Sequence, residues 1–532
     1  MRFISIFLVQ IACIQTLFGQ TQMSSGGVLD ALQVDMDIRH YDIHLRVNTT
    51  EKTLDGYTEV SFLLAKPADT ILLQLIDAYK ITQVTLNNQP VNFQHNNNRI
   101  LIWGKQSFPT GKQVVKVAYA GNPPIAIRPP WQGGFTFTKD SFGNPWMSIN
   151  SQFEGGKIYF PCKDHPSDEP NEGVDFYITV SQGEVVAAAG LLQEVKKLKN
   201  GLTSYHWKTN YPISNYCILF NIGKYAVFKK MYTTINGNMV PIELYLLTSD
   251  SAHANEIFEI KERDTRILEK YFGEYPWVKE KIGLAYVPNS GMEHQTMITY
   301  GDKFTYKKVG GQLYSDNLFH EYAHEWWANK VTNKDWAHMW IQEGIATYAE
   351  ALAFRELGGE DAYFEVMSGH KARVKNVKPL VQGAAVNSVD TYSGDLYFKG
   401  SSFMHALRGI LGDEVFFPTL YKLATDSAYT YYNMVTSADV EKLFSKASGK
   451  NLQPLFDLYL TKTELLNFQI KNTKYKTYTI QITNLSMDLP VEITTDKGTQ
   501  KMILPKAGIT IQSSTPPIVD PNGYFLKKVI ME

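Results

Sequence analysis

Apolar and polar residues alternate over most of the first half of the chain. Segments 41–47 and 174–180 carry an apolar residue at every second position, starting with Tyr41 and Val174. A period of two is typical of strands that bury one face. Turn clusters such as NNQP and NGN separate these runs. From about residue 35 to 240 the pattern therefore predicts an antiparallel β region.

Helical spacing replaces this alternation near residue 252. Apolar residues then recur at intervals of three and four until a glycine and a proline stop the pattern; they are Ile257, Ile260, Ile267, Leu268 and Tyr271. Helical character persists to about residue 462 and ends with segments 438–448 and 452–460. The middle of the chain is therefore expected to be rich in helices.

The segment from residue 466 onward returns to alternation. Apolar residues stand at every second position in 478–482 and again in 491–493, before the turn DKG. This pattern predicts a small β-sandwich. The expected fold class is multidomain α+β, with an N-terminal β domain over residues 21–240, a catalytic domain over 241–465 and a C-terminal β-sandwich over 466–532.

The first 20 residues have the pattern of a signal peptide. Arg2 precedes an apolar stretch from Phe3 to Phe18, and Gly19 offers one cleavage boundary. The stretch is too short and too polar for a stable membrane span. We therefore expect an exported protein, periplasmic or secreted, with no stable membrane span in the mature chain. A retained anchor or a lipid on Cys13 is less favoured.

Length and composition agree with a sizeable globular protein. A chain of 532 residues with 44% hydrophobic residues can build three or four domains. The 52 basic and 53 acidic residues leave a net charge of -1, which gives no strong field for nucleic acid or an anionic membrane. Of three cysteines, Cys162 and Cys217 follow the expected signal peptide. They could form one disulfide or stay as two buried thiols.

The segment HEYAH at 320–324 carries the chemistry of a zinc site. His320 and His324 are four residues apart, so on a helix their imidazoles share one face. Glu343 follows after eighteen further residues and can supply a carboxylate from a second helix. Two imidazoles and one carboxylate leave the fourth position of a tetrahedral zinc ion open for water.

Glu321 is placed to act as the general base. It is rotated about 100° around the helix from His320, so it does not share the ligand direction but can reach a water on the metal. The alternative is an ordinary amphipathic helix with two histidines. The glutamate at a fixed later position makes that alternative improbable.

Four motifs, carried by five segments, together make the chain resemble the aminopeptidase N family of gluzincin zinc metallopeptidases, which includes the leukotriene hydrolase branch. NLFHEYAHEWWAN at 317–329 is similar to the family's zinc helix, and HMWIQEGIATYAE at 338–350 to the helix of the third ligand. The resemblance runs from about residue 35 to the last residue. It implies a thermolysin-like α/β catalytic domain and one Zn2+ per chain, bound by His320, His324 and Glu343.

The segment SGMEHQTMITY at 290–300 is similar to the family signature GAMEN, which forms an edge strand beside the substrate. The resemblance assigns Gly291, Met292 and Glu293 to substrate binding, with Glu293 holding the free amino group. Ser290 stands where glycine is usual and His294 where asparagine is usual. We expect His294 to be a hydrogen-bonded structural residue rather than a further zinc ligand.

The segment NSQFEGGKIYFPCKDHPSDEP at 150–170 is similar to the stretch that enters the family's catalytic cleft from the N-terminal domain. Gln152 and Glu154 occupy the positions that line the amine pocket. With Glu293, Glu154 would form a negatively charged dead end that binds an ammonium group and stops the chain. This arrangement is what turns a protease into an aminopeptidase.

The segment DLYFKGSSFMHAL at 395–407 looks like the family's tyrosine-x-lysine-glycine segment. It makes Tyr397 the residue expected to donate a hydrogen bond to the oxyanion. Tyr392 is the nearby rival for this role.

The resemblance therefore implies a zinc-dependent aminopeptidase acting on peptides with a free N-terminus, with no nucleic-acid partner. The alternatives are a zinc endopeptidase, an epoxide hydrolase and a non-catalytic peptide-binding protein on the same fold. Oligomeric state is open. Many family members carry a further large helical domain, for which residues up to 532 leave no room, so a more open cleft is expected.

Overall fold

A computed structural model describes residues 23–532 of the chain. The expected signal peptide at residues 1–20 lies outside the described residues. Within them, the fold has a β-rich first part, a mixed and helical middle part and a β-rich end. This order confirms the expected fold class.

The first part consists mainly of strands, as the alternating pattern predicts. Its strands are β1 (Met36–Asn48), β2 (Thr53–Leu64), β3 (Ala68–Gln74), β4 (Tyr79–Leu86), β5 (Gln89–Pro90), β6 (Asn92–Asn96), β7 (Arg99–Phe108), β8 (Gly111–Gly121), β9 (Gly134–Lys139), β10 (Pro145–Asn150), β11 (Val174–Ser181), β12 (Val185–Ala188), β13 (Leu191–Lys197), β14 (Leu202–Lys208) and β15 (Phe220–Gly223).

Eight of these strands form one large sheet in the order β13-β14-β11-β1-β2-β8-β4-β5. Tyr41, Ile43 and Leu45 of β1 are buried, whereas the residues between them are partly exposed, so one face of the strand packs on the core. Strands β1 and β11 pair in parallel, and the neighbouring pairs in this sheet are antiparallel. The expectation of a wholly antiparallel domain was therefore wrong at this pair.

The middle part begins with a four-stranded sheet and continues with helices. Its strands are β16 (Tyr225–Thr233), β17 (Met239–Leu247), β18 (Ile282–Tyr286), β19 (Ile298–Tyr300), β20 (Lys307–Val309) and β21 (Gln312–Tyr314). Strand β17 straddles the expected domain boundary at residue 240 and pairs in parallel with β18. The edge strand β19 forms the last three residues of the segment 290–300 that resembles GAMEN.

The helices of the middle part carry the predicted base and two of the predicted metal ligands, and the third, His324, directly follows the helix of His320. The helices are α1 (Ala254–Phe272), α2 (Asp316–Ala323), α3 (Trp340–Arg373), α4 (Ser388–Thr391), α5 (Asp395–Leu411), α6 (Asp413–Thr425), α7 (Ser437–Ser448) and α8 (Gln453–Phe456). Ser315 caps α2, because its side chain accepts a hydrogen bond from the Leu318 N–H. α3 changes direction at Gly359, which has a φ of +84°.

The last part forms two small sheets. Its strands are β22 (Leu466–Lys474), β23 (Thr477–Ile482), β24 (Leu489–Thr495), β25 (Gly498–Leu504), β26 (Ile509–Gln512), β27 (Ile518–Val519) and β28 (Lys527–Met531). The orders are β26-β23-β22-β28 and β25-β24-β27. Among the helices of residues 23–532, none is long and apolar enough to cross a membrane.

Helices α3 and α5 touch through two glycines. A Cβ atom added to Gly344 would lie 2.8 Å from the Gly400 Cα, and one added to Gly400 would lie 2.8 Å from the Gly344 Cα. The backbones are therefore too close for any side chain at either position. This contact brings the first turn of α3, with Glu343, beside the first turn of α5, with Tyr397.

We expect Gly400→Ala to lower the melting temperature, because its methyl group forces α3 and α5 apart. Gly369→Ala is the matched control: it lies in α3, the helix that α5 contacts, at a position where an added Cβ meets nothing within 4 Å. Alanine there gains up to about 1 kcal/mol of helix propensity. Thermal unfolding of both variants would contradict the account if Gly400→Ala were as stable as Gly369→Ala.

Candidate metal centre and adjoining cavity

Three predicted ligands meet at one point between α2 and α3. The Nε2 atoms of His320 and His324 are 3.1 Å apart, and each lies 3.4 Å from Glu343 Oε2. A tetrahedral zinc ion with bonds of about 2.0 to 2.1 Å holds its ligand atoms about 3.3 Å from one another. The three side chains therefore fit a zinc ion. Glu343 Oε2 is buried and has no hydrogen-bond donor among the described residues, which agrees with a metal partner.

Hydrogen bonds orient both imidazoles. His320 Nδ1 lies 2.8 Å from Glu350 Oε1, and His324 Nδ1 lies 2.8 Å from the Trp327 carbonyl oxygen. Each acceptor holds the proton on Nδ1 and so leaves the Nε2 lone pair for a metal. The Trp327 carbonyl can reach His324 because the helix breaks there: Ala328 has a φ of +153°, a region that few residues other than glycine adopt.

A cavity of about 330 Å³ opens beside these ligands. Its walls come from the N-terminal β region as well as from the middle part of the chain. The predicted site residues that line it are Gln152, Gly291, Met292, Glu293, His320, Glu321, His324, Glu343 and Tyr397. These residues come from five separate segments of the sequence, and the fold brings them to one cavity.

Glu321 faces the cavity from the metal helix. Asn317, one helical turn earlier, donates a hydrogen bond of 2.9 Å from Nδ2 to Glu321 Oε1. Burial raises the pKa of the Glu321 carboxyl to about 7; a cation at the ligand site acts in the opposite direction. The sequence analysis missed Asn317, although its place four residues before Glu321 on a helix could have revealed the contact.

Gly291 is a further departure from the GAMEN signature, which has alanine at this position. Close packing explains the glycine. A Cβ atom there would lie 2.6 Å from Asn317 Oδ1 and 2.7 Å from the Thr299 carbonyl oxygen. The strand can approach α2 this closely only with glycine. Asn317 and Gly291 thus fit together in this chain.

Glu293 is held at the end of the cavity by two donors. Gln152 Nε2 lies 2.6 Å from Glu293 Oε1, and the Tyr216 hydroxyl donates to the same oxygen at 3.0 Å. Gln152 Nε2 also approaches Glu343 Oε1, at 3.4 Å. Glu293 lines the cavity, so its carboxylate can also accept a hydrogen bond from a ligand there. The cavity end is therefore negatively charged and lies next to the metal ligands.

Glu154 has a different position. It does not line the cavity, and its Oε1 accepts a hydrogen bond of 2.8 Å from the Gly133 N–H. The side chain is 2% exposed, and burial raises the pKa of Glu154 to about 7. Glu154 therefore lies behind the wall that Gln152 and Phe153 form. Its role in binding an amine stays a prediction.

Tyr397 and Tyr392 both line the cavity. The Tyr397 ring stacks on His320, with ring centroids 5.6 Å apart and planes 28° apart. The Tyr392 hydroxyl lies 3.5 Å from the Tyr397 hydroxyl and accepts a hydrogen bond of 2.8 Å from Trp131 Nε1. Trp131 was not found by the sequence analysis, because it lies in a loop about 260 residues earlier in the chain.

Two smaller expectations have clear outcomes. His294 is fully buried, but neither ring nitrogen has a hydrogen-bond partner among the described residues, so the expected hydrogen bond was wrong. Burial lowers the pKa of His294 to about 3, and the ring is not part of the ligand group. Cys162 and Cys217 are both buried and free, which leaves the alternative of two buried thiols.

Family models match two parts of the chain. Residues 38–217 match the Peptidase M1 N-terminal domain, and residues 257–459 match the Peptidase family M1 domain. Together these ranges include well over half of the chain. The metal helix, Glu343 and Tyr397 lie in the second range, and Gln152 lies in the first.

Curated relatives agree with these matches. The chain is 24% identical to aminopeptidase N of Lactococcus lactis over 79% of this chain and 50% of the relative. It is 23% identical to human endoplasmic reticulum aminopeptidase 2 over 71% of this chain and 42% of the relative. The chain thus spans about half the length of the curated relatives that it matches.

Solved structures share the fold. The M1 zinc metallopeptidase from Deinococcus radiodurans has a TM-score of 0.67 at 23% identity, covering 83% of this chain and 96% of that one. Legionella pneumophila aminopeptidase A, in complex with aspartic acid, has a TM-score of 0.77 at 17% identity, covering 96% of this chain and 61% of that one. At these identities the likeness concerns the fold alone.

We expect Glu350→Ala to weaken zinc binding about ten- to a hundredfold, because His320 loses the acceptor that orients its ring. Glu356→Ala is the control: Glu356 lies on the same helix but pairs with Lys270, away from the ligands. Equilibrium dialysis against buffered zinc, followed by elemental analysis, measures both. Equal zinc affinity in Glu350→Ala and the control would contradict this role.

Proposed function

Because the chain belongs to peptidase family M1, we propose that it is a zinc-dependent aminopeptidase, which removes N-terminal residues from peptides by hydrolysis. One observation carries the proposal: the metal ligands and the Glu293 carboxylate meet in one cavity, where Gln152 contacts both Glu293 and Glu343. A metal site beside a negatively charged dead end suits a peptide with a free, protonated N-terminus.

Glu293 binds the substrate's ammonium group in this proposal. Its Oε1 is held by Gln152 and Tyr216, so the carboxylate has a fixed direction, and Oε2 can accept a hydrogen bond from the ammonium. An N-terminus anchored there presents its first peptide bond to the metal ligands. Because Gln152 contacts both Glu293 and Glu343, the anchor lies beside the metal ligands, and the first peptide bond is the one placed for cleavage.

Two side chains perform the chemistry around that bond. Zn2+ held by His320, His324 and Glu343 supplies Lewis-acid chemistry, which polarises a carbonyl group and makes water more acidic. Glu321 takes a proton from the attacking water on its carboxylate and passes it to the nitrogen of the leaving amine. The Tyr397 hydroxyl donates a hydrogen bond to the carbonyl oxygen as negative charge develops on it. One water is consumed, and an amino acid and a shortened peptide are released.

The cavity walls favour an apolar first residue. Beyond the ligands and the acidic side chains, the lining includes Trp131, Phe153, Met292, Tyr392 and Phe398. None of these can neutralise a second charge on the substrate. The Deinococcus radiodurans M1 metallopeptidase is described in complex with a Tyr-Ser-Ala substrate, whose first residue is also aromatic. We therefore propose peptides that begin with a large apolar residue as substrates.

We propose that the protein acts outside the cytoplasm. The apolar stretch from Phe3 to Phe18 after Arg2 supports export and cleavage near Gly19. N-terminal sequencing of the protein from its native host would detect a mature chain that starts near residue 20, or an uncleaved start that contradicts it.

We expect Glu321→Gln to retain zinc but to lose about a hundred- to ten-thousandfold in kcat, because the amide cannot accept the water's proton. Turnover of leucine p-nitroanilide and zinc content are measured on the same sample. Asp316→Asn, a change one helical turn away that leaves the cavity untouched, is the control. Near-normal turnover by a zinc-loaded Glu321→Gln would remove Glu321 as the base. Removing zinc with a chelator should abolish turnover in the unaltered protein, and added zinc should restore it.

Glu293→Gln should lower kcat/KM for free-amine peptides about ten- to a hundredfold, since it loses one charged contact with the ammonium but keeps the shape of the side chain. The unaltered protein should cleave an N-acetylated peptide far more slowly than its free-amine twin. Paired assays by mass spectrometry give both ratios. Equal cleavage of the two peptides would favour the endopeptidase alternative.

A further inference from the structure

Trp131 connects the N-terminal β region to the tyrosines of the cavity. It stands in the loop between β8 and β9 and lines the cavity opposite the metal helix. Its indole Nε1 donates a hydrogen bond of 2.8 Å to the Tyr392 hydroxyl oxygen. The side chain is 40% exposed, so Trp131 is not a residue of the hydrophobic core.

Tyr392 links Trp131 to Tyr397. Its hydroxyl donates a long hydrogen bond of 3.5 Å to the Tyr397 hydroxyl oxygen. The edge of Phe153 packs against the Tyr392 ring, with centroids 4.8 Å apart and planes 77° apart. Tyr397 is itself packed on His320. Both tyrosine rings are therefore held in place. The Trp131 N–H and the two tyrosine hydroxyls form a hydrogen-bonded series that leads from Trp131 to the metal helix.

The chemistry of the three groups fixes which group donates and which accepts in each hydrogen bond of this series. An indole nitrogen can only donate, so the Tyr392 oxygen accepts there. Tyr392 then has its own hydroxyl hydrogen to give to the Tyr397 oxygen. Tyr397 accepts from Tyr392, which leaves its hydrogen to point into the cavity.

This order of donors and acceptors separates the two tyrosines that the sequence left as rivals. The Tyr392 hydroxyl hydrogen is used in the hydrogen bond to Tyr397, whereas the Tyr397 hydroxyl hydrogen is left for a group in the cavity that Tyr397 lines. A donor that is already turned toward the developing charge needs no reorganisation during the reaction, which is the condition for effective oxyanion stabilisation.

We propose that Trp131 is a positioning residue for the reaction, which acts through Tyr392 to turn the Tyr397 hydroxyl hydrogen toward the substrate's carbonyl oxygen. This inference rests on the proposed aminopeptidase function. It makes the N-terminal β region a contributor to the chemistry as well as to the wall of the cavity.

Single and double substitutions in the zinc-loaded, full chain test the proposal. Trp131→Phe keeps an aromatic ring but removes the N–H, and Tyr392→Phe removes the hydroxyl. We expect each to lower kcat on leucine p-nitroanilide about two- to tenfold with KM unchanged, the usual effect of one neutral hydrogen bond. The double variant should lose no more than Tyr392→Phe alone, because Trp131 then has nothing to act through.

Trp146→Phe is the matched control. Its indole N–H also donates to a tyrosine hydroxyl, that of Tyr225 at 3.2 Å, but Trp146 does not line the cavity. Its kcat should equal that of the unaltered protein. Zinc content and melting temperature are measured for every variant, so that a loss of metal or of folding is seen separately.

Three outcomes would overturn the proposal: an unchanged kcat in Trp131→Phe, a loss confined to KM, or losses that multiply in the double variant. If the unaltered, zinc-loaded protein hydrolyses no aminoacyl substrate, the proposed function fails and the inference fails with it. An active unaltered protein with an unaffected Trp131→Phe overturns the inference alone.

Discussion

The geometry of three buried ligand atoms constrains the rest of this molecule. Two imidazole nitrogens and one carboxylate oxygen lie 3.1 to 3.4 Å from one another at the wall of the cavity. A zinc ion satisfies all three at once. Neighbouring residues keep these three atoms in place. Glu350 and the Trp327 carbonyl group orient the two imidazole rings. The contact of Gly344 with Gly400 sets the distance between the helices that supply Glu343 and Tyr397.

The segment after the ligand helix also organises the substrate side of the cavity. Glu325 accepts a hydrogen bond of 2.9 Å from the Thr296 N–H, and Asn329 Nδ2 donates one of 2.8 Å to the Glu293 carbonyl oxygen. Asn329 Nδ2 in turn lies 3.2 Å from Glu325 Oε2. The segment that carries Glu293 is therefore hydrogen-bonded to the segment that directly follows the metal helix. These contacts fix the distance between Glu293 and the metal ligands, as the proposed anchoring of a substrate next to the reacting bond requires.

Much of this site could be predicted because it depends on spacing within short segments. The four-residue interval of His320 and His324, and the later Glu343, specify a ligand set on helices without any knowledge of the fold. Glu350 could have been found in the same way, since it lies two turns after Glu343. Contacts between distant segments could not be predicted from spacing. Trp131 meets Tyr392 only because the β8–β9 loop reaches the helical part, and Glu154 lies behind the wall because the Gly133 N–H holds it.

The central claim is that one zinc ion binds between the three ligand atoms, next to an anchor for a free N-terminus. Zinc-edge anomalous diffraction from crystals of the purified protein soaked with free leucine tests it most directly. The account predicts a single strong peak between His320 Nε2, His324 Nε2 and the Glu343 carboxylate, with the leucine ammonium on Glu293. A zinc peak elsewhere, or leucine bound with its ammonium away from Glu293, would contradict it.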